Sequence, residues 1–325
     1  MKRSLSERLF SISRSPYRTV VRFLFLKFTF KDRELDPERL QRTSELEYPR
    51  LLKKWYGRMT GEVLDLEHPR TFNQKMQWIK LYWNRELMTR LADKIAVRDY
   101  VSEKIGERYL VPLVGVYKNA SEIDWDGLPS RFVLKPNHGS HWLEIVEDRN
   151  LVERTLVSKR ADSWLEKDYS FSHGFEMQYH GIKPRLMIER HLGEWTHNLT
   201  DYKVWCFGGE PHYVQLVLDR FEDTGSKTAY YSADWIKQPF WKQHAHYEGE
   251  IPRPEVLDEL LACSRKLAEG IPFVRVDFYL MDDGSLRFGE MTFTPSSGCS
   301  LWQGDPTADV VLGDLVKLPC DAMRQ

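Results

Sequence analysis

The stretch "VRVDFYLMDDGSLRFGEMTF" (Val274–Phe293) decides how the second half of this chain folds. Two runs of alternating apolar and polar residues flank Asp283-Gly284. This dipeptide favours the two-residue turn of a β-hairpin, because both central positions need a positive φ. The stretch therefore predicts two antiparallel strands in which Asp282 pairs with Ser285.

Counting outward from that turn places Asp277 opposite Glu290 and Arg275 opposite Thr292. Directly opposed residues have Cβ atoms about 4.5–5.5 Å apart, and like charges there are unfavourable unless something lies between them. A hard cation would relieve the repulsion, and Mg²⁺ typically takes one or two carboxylates together with substrate phosphates. An exposed hairpin whose acids face water is the alternative interpretation.

The bulk composition is that of an ordinary globular protein of one large domain or about two domains. The chain has 325 residues, of which 42% are hydrophobic and 29% charged, and its formal net charge of −1 gives no reason to expect nucleic-acid binding. Four cysteines without a CxxC pair suit a reducing cytoplasm. We therefore expect a cytoplasmic protein.

Positive charge is concentrated in residues 1–31, which hold eight Lys or Arg against one acid. The apolar run Thr19–Phe30 within them is interrupted by Arg22 and Lys27 and is too short to span a bilayer. Two interpretations stay open: a basic amphipathic segment lying on the inner face of a membrane, or a helix packed on its own domain.

Periodicity divides the chain into a helical first third and a strand-rich remainder. "TFNQKMQWIKLYW" and "ELMTRLADKIAVRDYVSEKIG" predict helices, the second ending at Gly106. From about residue 111, short strands alternate with turns and helices, and a second hairpin turns at Gly208-Gly209. Hairpins rather than βαβ units predict an α+β fold with antiparallel sheets.

Several cations accompany these elements. Lys135 ends a predicted strand, and the loop Asn137–Trp142 after it could cover phosphates with backbone N–H groups. In the second hairpin, Lys203 is predicted to face Val214, with Arg220 farther along the same surface as a basic pair for phosphate. For each feature a solvated surface is the open alternative.

A third basic feature lies on the second predicted helix. There, Lys94 and Arg98 fall at i, i+4 on one face, which suggests a nearby anion. A solvated helix face is again the alternative.

The order of these pieces resembles the ATP-grasp superfamily, and specifically its TupA-like branch, associated with teichuronopeptide and other polysaccharide biosynthesis. The resemblance covers roughly residues 70–317. It is carried by "TFNQKMQWIKLY", "ADKIAVRDYV", "FVLKPNHGS", "KPRLMIERHL", "DYKVWCFGGEP" and "FVRVDFYLMDDGSLRFGEMTFTPSSG".

The resemblance implies an α+β ATP-grasp fold in which two antiparallel-sheet subdomains clamp a nucleotide. We expect a helical N-terminal region over 1–105, a small subdomain with the phosphate-covering loop over 106–192, a large subdomain with the metal site over 193–317, and a tail over 318–325.

The resemblance also implies ATP and Mg²⁺ as cofactors. The implied nucleotide contacts are Lys94, Lys135, Asn137, His138, Gly139, Ser140, Glu189, Arg190, His191 and Leu192, the last four forming the hinge that holds adenine. The implied catalytic residues are Arg275, Lys203 and Arg220. The implied metal ligands are Asp277, Glu290 and Thr292.

Two positions depart from the family pattern. Thr292 stands where an asparagine ligand is usual, and its hydroxyl is a weaker ligand. The loop reads Ser140-His141-Trp142 where a second glycine is expected, which predicts a stiffer or differently selective lid.

The implied reaction joins a carboxylate to an amine through an acyl phosphate, with small molecules or glycans as substrates and polysaccharide biosynthesis as the setting. An ATP-grasp kinase and a non-catalytic nucleotide binder are the nearest alternatives. A glycosyltransferase using Asp124-Trp125-Asp126 as a DxD motif is the alternative from another class.

Overall fold

The computed structural model describes residues 33–194, 200–218, 227–242 and 245–319. The chain divides into two units, Met1–Ser44 and Glu45–Gln325. The predictions about residues 1–31 and about Arg220 lie outside the described residues. Within the described residues, no helix is long and apolar enough to cross a membrane.

Nine α-helices are described. They are α1 (Pro37–Leu40), α2 (Tyr48–Thr60), α3 (Phe72–Tyr82), α4 (Arg85–Ala92), α5 (Val97–Lys104), α6 (Arg154–Leu165), α7 (Tyr169–Ser172), α8 (Leu257–Ala268) and α9 (Ala308–Leu315).

The described strands form three sheets with the orders β1-β4-β2-β3, β11-β10-β5-β6-β7-β9 and β12-β8. They are β1 (Leu113–Tyr117), β2 (Phe132–Pro136), β3 (Glu144–Val146), β4 (Leu186–Arg190), β5 (Thr200–Phe207), β6 (Glu210–Leu218), β7 (Lys227–Ser232), β8 (Trp241–Lys242), β9 (Ala245–His246), β10 (Phe273–Leu280), β11 (Leu286–Thr292) and β12 (Trp302–Gln303). Strands β7 and β9 pair in parallel, and the other described pairings are antiparallel. The α+β expectation is confirmed.

The hairpin of β10 and β11 differs from the predicted hairpin at two places, each by one residue, and the two differences cancel. The predicted two-residue turn is wrong: Met281 N–H donates to the Ser285 carbonyl, which leaves a three-residue loop with Gly284 at a φ of 79°. A β-bulge at Gly289 then restores the register. Asp277 pairs with Glu290, and Arg275 with Thr292, as predicted.

The bulge also decides which face Glu290 joins. Phe288 pairs with Phe278 on the apolar face, and strict alternation would place Glu290 on that same face. The extra residue at Gly289 moves Glu290 to the opposite face, where Asp277 lies.

The second hairpin turns at Gly208-Gly209 with Phe207 opposite Glu210, as predicted. Farther from the turn the predicted register is wrong, since Lys203 pairs with Gln215 rather than Val214. A bulge follows Pro211, which has no N–H to donate to the ladder.

The predicted helix over residues 86–106 is also wrong in part, because it breaks at Asp93. Asp93 adopts an extended backbone (ψ 112°), and its carboxylate accepts hydrogen bonds from the N–H groups of Ile95 and Ala96. Lys94 therefore precedes α5 and does not share a helix face with Arg98.

Helices cover both large sheets. The core of the four-stranded sheet places Val157, Ala161 and Trp164 of α6 in one cluster with Phe132 and Ile188. In the six-stranded sheet, α8 contacts β5, β6 and β10.

The helix α3 packs on the six-stranded sheet through Phe72. The Phe72 ring lies 4.9 Å from the ring of Phe273 and 5.4 Å from that of Trp205.

Candidate active site

The acid pair of the hairpin is bridged by an arginine. Arg275 donates from Nε to Asp277 Oδ1 and from Nη2 to Oδ2, both at 2.7 Å. The same Nη2 lies 3.1 Å from Thr292 Oγ1 and 3.5 Å from Glu290 Oε1. The positive charge that the opposed carboxylates require is therefore supplied in this structure by Arg275.

Register places further polar residues in line with this pair. Glu290, Asp277, Lys203, Gln215 and Tyr230 occupy consecutive paired positions across β11, β10, β5, β6 and β7. Paired residues share a face, so these side chains form one row, which we call the site row.

Asp277 carries most of the ionic contacts of the site row. It is 4% exposed, and Lys203 Nζ lies 2.5 Å from its Oδ2. Burial alone would raise the pKa of Asp277, but the Arg275 and Lys203 cations outweigh burial and hold that pKa below its usual value. Asp277 is therefore ionised at neutral pH.

The oxygen ligands of this site fit a magnesium ion. The Glu290 side chain is 34% exposed; its Oε1 accepts a hydrogen bond from Thr292 Oγ1 at 3.2 Å and lies 3.5 Å from Arg275 Nη2. Among the described residues, Asp277 Oδ1 accepts one hydrogen bond, from Arg275 Nε, which leaves this oxygen one lone pair. Among the described residues no group of three His, Cys, Asp or Glu converges, so further ligands would come from phosphate and water.

The four-stranded sheet carries a second ionic cluster. Lys135 Nζ lies 2.6 Å from Glu189 Oε2, and Arg98 Nη1 lies 3.2 Å from Glu189 Oε1. Arg98 also donates to the Val111 carbonyl at 3.0 Å. Two residues predicted to contact nucleotide, Lys135 and Glu189, are thus brought together, and Arg98 has a carboxylate partner.

The loop after Lys135 is anchored by Lys94, whose Nζ donates to the Gly139 carbonyl at 2.6 Å. Burial lowers the pKa of Lys94 to about 8, while Glu290 acts in the opposite direction. Lys94 therefore lies within electrostatic reach of the acid pair. His141 has a φ of 64°, so it adopts the left-handed backbone that suits glycine at the position where the family pattern departs.

The remaining loop residues have local partners. Asn137 accepts a hydrogen bond from Arg185 N–H and donates to the Lys183 carbonyl. His138 Nε2 lies 3.2 Å from the Lys167 carbonyl, and Ser140 Oγ lies 3.0 Å from His141 Nδ1.

The predicted hinge leaves β4 through Arg190, whose N–H donates to the Pro112 carbonyl. His191 Nε2 lies 3.2 Å from Glu147 Oε1, and its Nδ1 accepts from the N–H of Gly193. Leu192 begins a short 3₁₀ helix. The structure therefore holds the hinge backbone in place.

Sequence reasoning missed a polar stripe on α3. Asn73, Gln77 and Lys80 fall on one helical face and are buried. Lys80 Nζ donates to the carbonyls of Gly174 (2.7 Å) and Ser297 (2.8 Å), and burial lowers its pKa to about 8. The sequence shows the spacing of four and three residues between Asn73, Gln77 and Lys80, but a helix face exposed to solvent would have the same spacing.

The segment held by this stripe is strained. Ser296 and Ser297 have φ values of 54° and 52°, which L side chains rarely adopt. Gln77 Nε2 donates to the carbonyls of Ser297 and Gly298. Such strain persists where surrounding contacts fix it, and it is concentrated at functional sites. We call Thr294–Gly298 the serine turn.

Sequence reasoning also missed Lys242, which is 3% exposed and donates to Ser296 Oγ at 3.1 Å. Its segment, "QPFWKQ", contains no pattern that predicts a buried lysine.

Residues of the Asp124-Trp125-Asp126 sequence contact the four-stranded sheet and its helix α6. Asp126 Oδ1 accepts a hydrogen bond from Arg154 at 2.7 Å, and the Trp125 ring packs beside Phe132.

The family model described as TupA-like ATP-grasp matches residues 74–317, which is more than half of the chain. Comparison with curated proteins found no match. The resemblance stated from the sequence is confirmed.

Solved structures include distant neighbours. The L-amino acid ligase from Bacillus licheniformis has 16% identity and a TM-score of 0.41, covering 72% of this chain and 51% of that one. The D-alanine–D-alanine ligase from Bacillus anthracis complexed with ATP has 17% identity and a TM-score of 0.37, covering 70% and 65%. The ATP-grasp ligase PsnB complexed with minimal precursor has 12% identity and a TM-score of 0.39, covering 71% and 60%. This chain spans less than two thirds of the length of each neighbour.

Proposed function

This chain belongs to the TupA-like ATP-grasp family, and on that premise we propose that it is an ATP-dependent carboxylate–amine ligase with Mg²⁺ as its metal. The observation that carries the proposal is the cluster of Asp277, Glu290, Arg275 and Lys203 on one sheet face inside the matched range. This cluster combines two carboxylates able to hold a metal with two cations able to hold phosphate oxygens.

The proposed reaction has two steps. A substrate carboxylate oxygen attacks the γ-phosphorus of ATP, which forms an acyl phosphate and releases ADP. An amine then attacks the acyl carbon, loses a proton and expels phosphate, which leaves an amide.

The residues of the chain act mainly by charge and position. Asp277 and Glu290 would hold Mg²⁺, which when bound neutralises phosphate charge. Lys203 and Arg275 stabilise the charge on the transferring phosphoryl group, a contribution that dominates such reactions. Lys94 holds the loop at Gly139, and Lys135 with Glu189 lines the opposing sheet.

The finer assignments are part of the same proposal. We propose that the sheets within 106–192 and 193–317 form the two subdomains of the clamp. Residues 189–192 form the adenine hinge, and Arg220 joins the phosphate contacts. The substrates are small-molecule or glycan carboxylates and amines of cell-surface polysaccharide biosynthesis. The reaction takes place in the cytoplasm, with residues 1–31 as the segment that contacts the membrane.

The test is to incubate purified protein with Mg-ATP and a panel of uronic acids, acidic amino acids and amines, and to identify nucleotide and organic products by mass spectrometry. We expect ADP, and an amide formed only when a carboxylate and an amine are both present. Glu290→Gln abolishes this activity, whereas the matched control Asp283→Asn, at the exposed hairpin tip, retains it.

Other products identify other reactions. ADP with a phosphorylated product and no amine requirement makes the protein a kinase. AMP release contradicts the acyl-phosphate mechanism. Mg-dependent ATP binding without turnover leaves either a substrate outside the panel or the non-catalytic binder, and a panel of nucleotide sugars is then tested next.

A further inference from the structure

Lys242 is a buried lysine without a carboxylate partner among the residues that the structure describes. Its Nζ lies 3.1 Å from Ser296 Oγ, 4.9 Å from the centre of the Trp205 ring and 5.9 Å from that of Trp302. A buried charge is strongly unfavourable unless an opposite charge or several hydrogen bonds compensate it. One hydroxyl and two aromatic faces do not provide that compensation.

The neighbouring cations make a charge on Lys242 still less favourable. Burial is the main cause of a pKa well below the ordinary value for lysine, and the neighbouring Arg275 and Lys203 lower it further. The nearby Asp277 acts in the opposite direction, but it is already paired with both of those cations. Arg275 also lies 3.5 Å from Glu290 and Lys203 lies 3.6 Å from Asp201, whereas Lys242 has no carboxylate partner among the described residues. An additional anion would therefore compensate Lys242.

A second, independent observation lies beside Lys242. The Tyr230 hydroxyl belongs to the site row, its residue is 1% exposed, and it has no hydrogen-bond partner among the described residues. The Tyr230 ring lies 5.8 Å from that of Trp205 and 6.0 Å from that of Trp302, so it borders the same two rings as Lys242. Burying a hydroxyl without a partner costs about 1–3 kcal/mol, which a ligand oxygen would recover.

The serine turn gives this group an open side. Ser296 is partly exposed, whereas Lys242 and Tyr230 are buried. The strained backbone of Ser296 is held in place by hydrogen bonds to the carbonyls of its neighbours Ser297 and Gly298. A ligand that reaches Ser296 Oγ from the site therefore meets the atom to which Lys242 donates.

We propose that Lys242, Ser296 and Tyr230 form an oxyanion site that holds an oxygen of the carboxylate substrate before transfer and of its acyl phosphate afterwards. This inference rests on the proposed function and assigns the site that the acceptor occupies, beside the metal-binding acid pair. The ligand class is an oxyanion, either a carboxylate or a phosphoryl group.

The test uses inorganic sulfate, an oxyanion that does not titrate near neutral pH. We would titrate sulfate into protein saturated with Mg-ADP by calorimetry, in HEPES and in Tris at the same pH. Wild-type protein binds sulfate and takes up protons, because the anion favours charged Lys242. Lys242→Met weakens sulfate binding about tenfold or more and removes the proton uptake. Acetate in place of sulfate distinguishes a carboxylate preference from a phosphoryl preference.

The matched control is Lys237→Met, which changes a lysine of the preceding segment that donates to the carbonyls of Glu248 and Gly249. It leaves sulfate binding unchanged. Tyr230→Phe removes only the hydroxyl and weakens sulfate binding about threefold, which tests the site again if Lys242→Met does not fold.

Equal sulfate affinity in wild type and Lys242→Met overturns the inference, and so does Mg-ADP binding without sulfate binding. Failure of wild type to bind Mg-ADP contradicts the proposed function instead. In that case, the comparison of sulfate affinity between wild type and Lys242→Met is made without nucleotide, and it tests the oxyanion site independently of the proposed function.

Discussion

Among single side chains, Arg275 changes the interpretation of the acid pair. The opposed carboxylates were expected to need a metal between them, yet the Arg275 guanidinium already bonds Asp277 and lies 3.5 Å from Glu290. A metal bound at the proposed site would share these oxygens with Arg275, and Glu290, the more exposed of the two acids, would be the easier to recruit. Removal of Asp277 and removal of Glu290 should therefore change the free energy of unfolding by different amounts.

We predict that Asp277→Asn lowers the free energy of unfolding by about 3 kcal/mol, because Arg275 and Lys203 lose their buried carboxylate partner. Glu290→Gln changes it by less than about 1 kcal/mol, since this side chain is partly exposed and weakly paired. Urea denaturation of both variants, with Asp283→Asn as control, measures the difference. Equal losses for the two variants would contradict this assignment.

Lys80 should produce a pH dependence of stability. Its pKa is about 8 in the folded protein and has an ordinary value of 10.5. Above pH 8 the unfolded chain binds more protons at this position than the native state, so the free energy of unfolding rises with pH. Below pH 8 the lysine is charged in both states and its burial penalty is fully present.

We predict a gain of about 1 kcal/mol per pH unit between pH 8 and 9.5 from Lys80. Lys94 contributes with the same sign, so the informative quantity is the difference between wild type and Lys80→Met. Urea denaturation across this range should show a smaller slope in the variant. Identical slopes would mean that Lys80 does not titrate there.

Among strands and turns, the hairpin shows what sequence patterns can and cannot predict. Alternation predicted both strands, and the pairing of Asp277 with Glu290 is confirmed even though the turn and the register near it were wrong. The bulge had a sequence signal, because the apolar positions run 286, 288, 291 and 293, with one interval of three. Pro211 was the equivalent signal in the second hairpin.

We predict that Gly289→Val lowers the free energy of unfolding by about 2 kcal/mol. A Cβ at this position would lie 3.1 Å from the Asp277 carbonyl oxygen and 3.2 Å from the Tyr279 ring. The variant should also weaken Mg-ADP binding, because the bulge directs Glu290 towards Asp277. Gly61→Val, where a Cβ meets no neighbour but φ is 79°, is the control for backbone strain alone. An equal effect of both changes on Mg-ADP binding would contradict the role of the bulge.

Across the whole molecule, the sequence predicted the family and the α+β class, because long strings in a fixed order carry that information. It did not predict Lys80 against Ser297, or Lys242 against Ser296. These contacts join positions more than fifty residues apart, and no local periodicity reports them. The break at Asp93 was missed because an aspartate cap can replace a continuous helix without changing the apolar spacing.

We predict that Mg-ADP at 100 times its dissociation constant raises the melting temperature by about 5 °C. Such saturation adds about 2.7 kcal/mol to the native state. Differential scanning fluorimetry should show this shift in wild type and Asp283→Asn, and little shift in Glu290→Gln at the same concentration. A full shift in Glu290→Gln would remove this residue from the metal site.

The polar stripe of α3 limits how far the protein can be shortened. A fragment starting at residue 106 would keep both large sheets and most of the predicted site residues. It would lose the side chains of Asn73, Gln77 and Lys80, and with them the hydrogen bonds that hold the serine turn and Ser300. Soluble expression of such a fragment would therefore be a poor guide to activity, and truncation should begin before α3.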